Sequence, residues 1–228
     1  ESGDFNDYTI EDICKILNLI STRMEELEGE EKIEYVFVFK NKGKEVGSSL
    51  SHPHMQIYGM PFVPPVIQKE IENCKDYYDK NKKVLFKDII EYERKYKKRI
   101  LYENDNFVSF VPYFSKWPYE SQVVIKECKG KITDFKKDEI ADLAEQIKLL
   151  TECYNNLFSH PMSYVLLFHQ APLHRSIEHF NFFIEFQPVF QMDSNLKYTA
   201  GIERAGVFEH GSGEPEDQAQ TLRLLMPD

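Results

Sequence analysis

This sequence predicts an α+β fold built from two related halves, the first of them incomplete. The order of elements carries that reading. Two amphipathic segments, one beginning at Thr9 and one spanning 138–158, each lead into a β-rich run, a loop and a second β-rich run. Three strands between about 100 and 126 precede the later copy, whereas the earlier copy opens almost directly at its helix. Counted this way, Glu1-Ser2 falls where the third strand of a first copy would end, so the opening strands of that copy are expected to lie outside this chain.

Each element has its own signal. Thr9 and Asp12 resemble a capping box with Asp in place of Glu, and Ile13, Ile16, Leu17, Ile20, Met24 and Leu27 then form one apolar stripe that should pack on a sheet. Residues 34–40 read as a strand, 41–51 as a loop and 52–60 as a second strand that Pro61, Pro64 and Pro65 end. The charged stretch from Val66 to about Lys98 is helix-compatible, with a break around Asn81. Residues 101–112 suggest a hairpin turning across Glu103-Asn104-Asp105-Asn106, and 122–126 a further strand. Ile140, Leu143, Ala144, Ile147, Leu150, Tyr154 and Leu157 mark the clearest helix, and strands follow at 164–168 and 180–186. Trp117 and the cluster Phe180, Phe182, Phe183 and Phe186 read as core. The polar stretch 209–217 reads as a loop before a short final segment. The two halves divide at 1–98 and 99–228.

Composition narrows the function. A chain of 228 residues with 42% hydrophobic and 29% charged residues can bury a continuous core. The formal charge of -10 argues against general affinity for nucleic-acid backbone, while a local site could still grip the phosphates of a small ligand. Cys14, Cys74, Cys128 and Cys153 are widely spaced, without a CxxC pair, so neither a disulfide framework nor a cysteine-rich zinc module is indicated and a reducing cytoplasm fits best. No apolar run approaches the ~20 residues needed to span a bilayer, so no membrane partner is expected.

The chemistry concentrates in Ser51-His52-Pro53-His54-Met55-Gln56-Ile57, after a run that bears Gly43, Gly47, Ser48 and Ser49. On a strand, His52, His54 and Gln56 would share a face. A neutral imidazole attacks phosphorus well, provided one ring nitrogen is free and the other donates a hydrogen bond that fixes the tautomer. Pro53 stiffens the approach and helps hold a backbone carbonyl in place for that bond, which makes His54 the nucleophile. Gln56 cannot transfer protons, but its NH2 can donate to a phosphoryl oxygen as charge builds there. Asn41, Ser49 and the backbone of the Gly43 to Ser49 loop, with Gly47 and Ser48, could hold the remaining phosphate oxygens.

At this point the chain resembles the galactose-1-phosphate uridylyltransferases, a branch of the histidine triad superfamily. The residues that carry the likeness are Phe39-Lys40-Asn41-Lys42-Gly43, Gly47, Ser49 and His52-Pro53-His54-Met55-Gln56. It continues through Val111-Pro112-Tyr113 with Trp117-Pro118-Tyr119-Glu120, then Phe168-His169-Gln170-Ala171-Pro172, and Lys197-Tyr198-Thr199-Ala200-Gly201 with Glu203. The resemblance implies a histidine-triad-like antiparallel half-barrel with flanking helices. It also implies a ping-pong enzyme in which His54 takes a uridylyl group from UDP-hexose and passes it to a hexose 1-phosphate. Gln56, Ser49 and Asn41 then contact the phosphoryl groups, and Lys197 and Glu203 contact the hexose and its phosphate across a homodimer interface. Histidine triad hydrolases carry another histidine where Gln56 stands, suited to protonating a poor leaving group, so glutamine favours transfer over hydrolysis.

The alternatives are a superfamily nucleotidyltransferase or phosphorylase using another base or sugar, and a non-catalytic nucleotide-binding protein. Ile202, where well-known members have an aromatic residue, bears on the sugar preference. The likeness also implies zinc or iron and no organic cofactor. His52 matches a zinc ligand, although the place expected for another histidine reads Gly3-Asp4-Phe5, so His52 is either a metal ligand or a supporting catalytic residue that orients the neighbouring ring. Glu70 and His169 match two ligands of a second metal site whose other positions hold Phe183 and Glu185. Phenylalanine cannot ligate, so Glu70, His169 and Glu185 make either a weak oxygen-rich site or a structural hydrogen-bond cluster.

Overall fold

In the computed structural model, residues 3–48, 52–157, 162–189, 191–192, 195–196 and 213–227 are described. Ser49, Lys197, Ile202 and Glu203 lie outside them. The elements run α1 (Ile10–Glu28), β1 (Tyr35–Lys42), β2 (Gln56–Met60), α2 (Pro65–Asn81), α3 (Leu85–Tyr96), β3 (Ile100–Glu103), β4 (Phe107–Phe110) and β5 (Ser121–Ile125). They continue with α4 (Lys137–Leu157), β6 (Tyr164–His169), β7 (Phe183–Pro188), a small ribbon of β8 (Gln191–Met192) and β9 (Asn195–Leu196), and α5 (Pro215–Leu225).

Seven strands form one antiparallel sheet in the order β2-β1-β6-β7-β5-β4-β3. The expected α+β architecture is therefore present, with β1 and β6 joining the two segments in register from Phe39↔Leu167 to Lys42↔Tyr164. Side chains alternate between faces, so two cores form. Val36, Val38, Leu166, Phe168, Ile184 and Phe186 pack with the buried stripes of α1 (Ile13, Leu17, Ile20, Met24) and α4, and with Ala219 and Leu222 of α5. Tyr35, Val124 and Phe183 point the other way and pack with Ile67, Ile71 and Cys74 of α2 and Phe86 and Ile90 of α3.

The ends of α1 and α2 follow their sequence signals. Thr9 Oγ1 accepts the Asp12 N–H at 3.1 Å and donates to Asp12 Oδ2 at 2.7 Å, which caps α1. Pro65 opens α2, where a missing N–H costs nothing, and the break at Asn81 separates α2 from α3.

Four expectations need correction. The second strand begins at Gln56, not at 52, because Pro53 cannot donate to a ladder; His52 to Met55 lie in irregular backbone before it. The 180–186 strand begins only at Phe183, since Asn181 Nδ2 donates to the Ile125 and Glu127 carbonyls and holds the chain off the sheet. Residues 215–217 begin α5 instead of a loop, with Pro215 in its first turn. Trp117 is partly exposed at 36%, whereas Phe180, Phe182, Phe183 and Phe186 are buried.

Candidate active site

The His-Pro-His-x-Gln run lies at one margin of the sheet, where β1 leads into a tight loop and β2 begins. Gly43 takes φ +100° and sits so close to Ser163 that a Cβ would lie 1.8 Å from its Oγ, so only glycine fits. A short 3₁₀ turn, Lys44–Val46, follows; the Gly47 N–H donates to the Lys44 carbonyl at 3.1 Å and the Ser48 N–H to that of Gly43 at 3.2 Å. Gly47 is left-handed, φ +78°. Ser163 Oγ donates to Glu45 at 2.5 Å, which ties this loop to the start of β6. Asn41 is on β1 and by alternation shares a face with Phe39, which is paired directly with Gln56.

The His54 ring has its tautomer set. Its Nδ1–H donates to the His52 carbonyl at 2.8 Å; a carbonyl can only accept, so Nε2 is the ring nitrogen left with a lone pair. His52 serves that bond through its backbone, and its side chain is exposed. Pro53, between them, narrows the backbone angles that bring the carbonyl under the ring. A cavity of about 690 Å³ opens beside His54, lined by Phe5, Ile20, Leu19, Lys40, Met55 and Ile57 among others. Gln56, the first residue of β2, accepts from the Tyr58 hydroxyl at 2.9 Å through Oε1.

Asp4 occupies a place where the resemblance expects a zinc-binding histidine, and it is already committed. Its carboxylate lies 3.3 Å from Lys40 Nζ and 2.7 Å from Lys42 Nζ and accepts the Tyr164 hydroxyl at 2.8 Å. Burial pushes Asp4 up, but the two ammonium groups and the hydrogen bonds from Lys42 and Tyr164 outweigh it and hold the carboxyl below 3.8. Lys40 is held below its ordinary value because burial costs its ammonium more than Asp4 returns, so Lys42, nearer and less buried, is the main counter-ion.

On the α2 side of the sheet, α2 supplies Glu70, the end of β6 His169, and β7 Phe183 and Glu185. His169 Nδ1 is 3.1 Å from both Glu70 oxygens, and its Nε2 is 3.6 Å from Glu185 Oε2. Phe183 lies flat on the imidazole, with ring centroids 4.3 Å apart and planes at 14°. Gln187 Nε2 donates to Glu185 Oε1 at 2.5 Å, and Gln122 lies 3.5 Å from the other oxygen. Burial opposes a charged His169, but Glu70, Glu185 and Glu120 outweigh it and raise its pKa. Burial, reinforced by Glu185, pushes Glu120 up to about 7.

These groups do not fit a metal. One ligand position is filled by a stacked phenyl ring, the Glu185 oxygens are engaged by amides, and among the described residues no group of three His, Cys, Asp or Glu side chains is arranged to hold an ion. The cysteines are all free; Cys74 and Cys153 are buried, and Cys14 Sγ lies against the Ile140 carbonyl of α4. Tyr58 and Gln122 carried no signal by residue type alone, and Glu120 stands only within the family likeness, with no role. Tyr58 could have been noticed as two positions after Gln56 on one strand, and therefore on its face.

A family model for the galactose-1-phosphate uridyl transferase C-terminal domain matches residues 70–202, and one for the N-terminal domain matches residues 2–64. The chain is 32% identical over 216 residues to a galactose-1-phosphate uridylyltransferase of Thermotoga maritima, covering 94% of this chain and 67% of that protein. It is 33% identical over 205 residues to the Schizosaccharomyces pombe enzyme of the same name, covering 86% of this chain but 56% of that protein, so it spans little more than half of some relatives. A solved uridylyltransferase structure superposes with a TM-score of 0.92 at 33% identity, covering 97% of this chain and 70% of that one. Among the described residues no helix is long and apolar enough to cross a membrane. The strand order, the His-Pro-His-x-Gln run at the margin of the sheet and these matches together show that the chain belongs to the galactose-1-phosphate uridylyltransferase family.

Proposed function

We propose that this chain carries the nucleophile of a ping-pong nucleotidyl transfer, in which a uridylyl group moves between UDP-hexose and hexose 1-phosphate by way of His54. The observation that carries the reading is the His54 Nδ1–H bond to the His52 carbonyl, which leaves Nε2 as the attacking atom. In the first half-reaction the Nε2 lone pair forms a bond to the α-phosphorus. The bond from phosphorus to the bridging oxygen breaks, and hexose 1-phosphate departs with that electron pair. In the second half-reaction a phosphate oxygen of the incoming hexose 1-phosphate attacks the phosphorus and the N–P bond returns its pair to Nε2. No proton has to be delivered to either leaving group, which is consistent with an amide, Gln56, in place of an acid.

Asn41, Gly47, Ser48 and Ser49 are assigned to the phosphates, and Lys197 and Glu203 to the hexose phosphate within a homodimer; these assignments rest on the family likeness. Brief incubation with UDP-glucose labelled at the α-phosphorus should leave an acid-labile, alkali-stable label on the protein. Equal labelling from ADP-glucose would redirect the assignment to another base, and no labelling from either would overturn a covalent mechanism.

For Glu70, His169 and Glu185 we propose a metal-free role, a hydrogen-bonded bridge joining α2 to β6 and β7. Elemental analysis should then find less than about 0.1 equivalent of zinc or iron at this place. Glu70→Ala should lower the stability by about 1–3 kcal/mol, because it strips a buried imidazole of its partner. Stoichiometric metal lost with Glu70→Ala would refute this role.

A further inference from the structure

Gln56 can help phosphoryl transfer in only one orientation. Phosphoryl oxygens accept hydrogen bonds and do not donate them, so the carboxamide must present NH2 and turn its carbonyl away. The two orientations of an amide are nearly the same shape, and one half-buried at a sheet margin has little packing to choose between them. Tyr58 supplies the choice. It follows Gln56 by two positions on β2, so both side chains rise from one face. Its hydroxyl donates to Gln56 Oε1 at 2.9 Å. The phenol is itself held by Phe39, edge to face, with centroids 5.3 Å apart and planes at 86°. Phe39 is the residue paired with Gln56 across β1 and β2. Ring, hydroxyl and amide thus form a short chain anchored on both strands at one end of the β1–β2 pair.

We propose that Tyr58 is a positioning residue for nucleotidyl transfer: by occupying Gln56 Oε1 it fixes the amide with NH2 free for the phosphoryl oxygen. This inference rests on the transfer reading given above. Tyr58→Phe keeps the ring against Phe39 and removes only the hydroxyl, so folding is not at issue. The rate of His54 labelling from UDP-glucose should fall about five- to tenfold, the worth of one such bond. KM for UDP-glucose should stay within about twofold, because orientation matters where charge develops. In a Gln56→Ala background the same change should add less than about twofold, since the amide it orients is gone. Unchanged labelling by Tyr58→Phe, or a loss that multiplies in full with that of Gln56→Ala, overturns the proposal alone. Absence of label in the parent protein overturns the transfer reading, and the proposal with it.

Discussion

His54→Gly should abolish the covalent adduct and lower steady-state uridylyl transfer by roughly 10⁴-fold or more, with the fold intact. Removing a nucleophile forces phosphorus to be attacked directly by the second sugar phosphate, and the two easier displacements become one difficult one. Losses of this order follow deletion of a covalent catalyst, with residual rate left to binding and electrostatics. Folding should survive because His54 is half-buried at a sheet margin, in irregular backbone, and among the described residues its ring bonds to the neighbouring His52 carbonyl. The change is read by acid-labile label, transfer rate and thermal midpoint together. Transfer retained within about tenfold would refute His54 as nucleophile, whereas Gln56→Ala should slow adduct formation and still permit it.

Asp4→Ala should be the most damaging change to stability among the polar residues, at about 3–5 kcal/mol, the usual cost of stranding a buried charge. Both Lys40 and Asp4 are nearly fully buried, with side chains 5% and 4% exposed, and the change leaves Lys40 without its carboxylate and Tyr164 without its acceptor. For a chain of this size the midpoint should fall by roughly 6–20 °C. A combined Asp4→Leu and Lys40→Met substitution should recover much of the loss, because it removes the desolvated charge as well as its partner. A midpoint within about 2 °C of the parent for Asp4→Ala would show that Asp4 and its partners Lys40, Lys42 and Tyr164 are not holding the N-terminal segment. The pH dependence has a definite sign. Asp4 is depressed on folding, so its contribution is fully present above its unfolded value near 3.8 and is lost as pH falls through the folded value.

Much of this was legible in the sequence, for reasons that differ between residues. The α1 and α4 stripes follow from helical periodicity and the seven strands from β-rich runs bounded by turn signals, although β4 and β5 are buried on both faces and carry no alternation. His54 and its tautomer were also legible, since the partner is two residues away and Pro53 restricts the path. What periodicity could not show is anything set by distant chain. Asp4 meets Tyr164 across 160 positions, and only the pairing of β1 with β6 brings them together. The late start of β7 depends on one amide, Asn181, reaching two carbonyls more than fifty residues away. Pro215 is a helix-start signal that the surrounding glycines and acidic residues outweighed. Tyr58 was missed because its role is a bond to a neighbour's oxygen, and neither its type nor its exposure announces that.

The approach of Gly43 to Ser163 can also be viewed mechanically. A single hydrogen atom is the thickness of the spacer between the turn after β1 and the chain entering β6, and a methyl group there would act as a shim. It would open the joint between the two segments at the end where Asn41 stands, and leave the far end of the sheet closed. The gauge that sets the spacing beside Asn41 is therefore a missing side chain, and it is calibrated by the segment that does not contain His54.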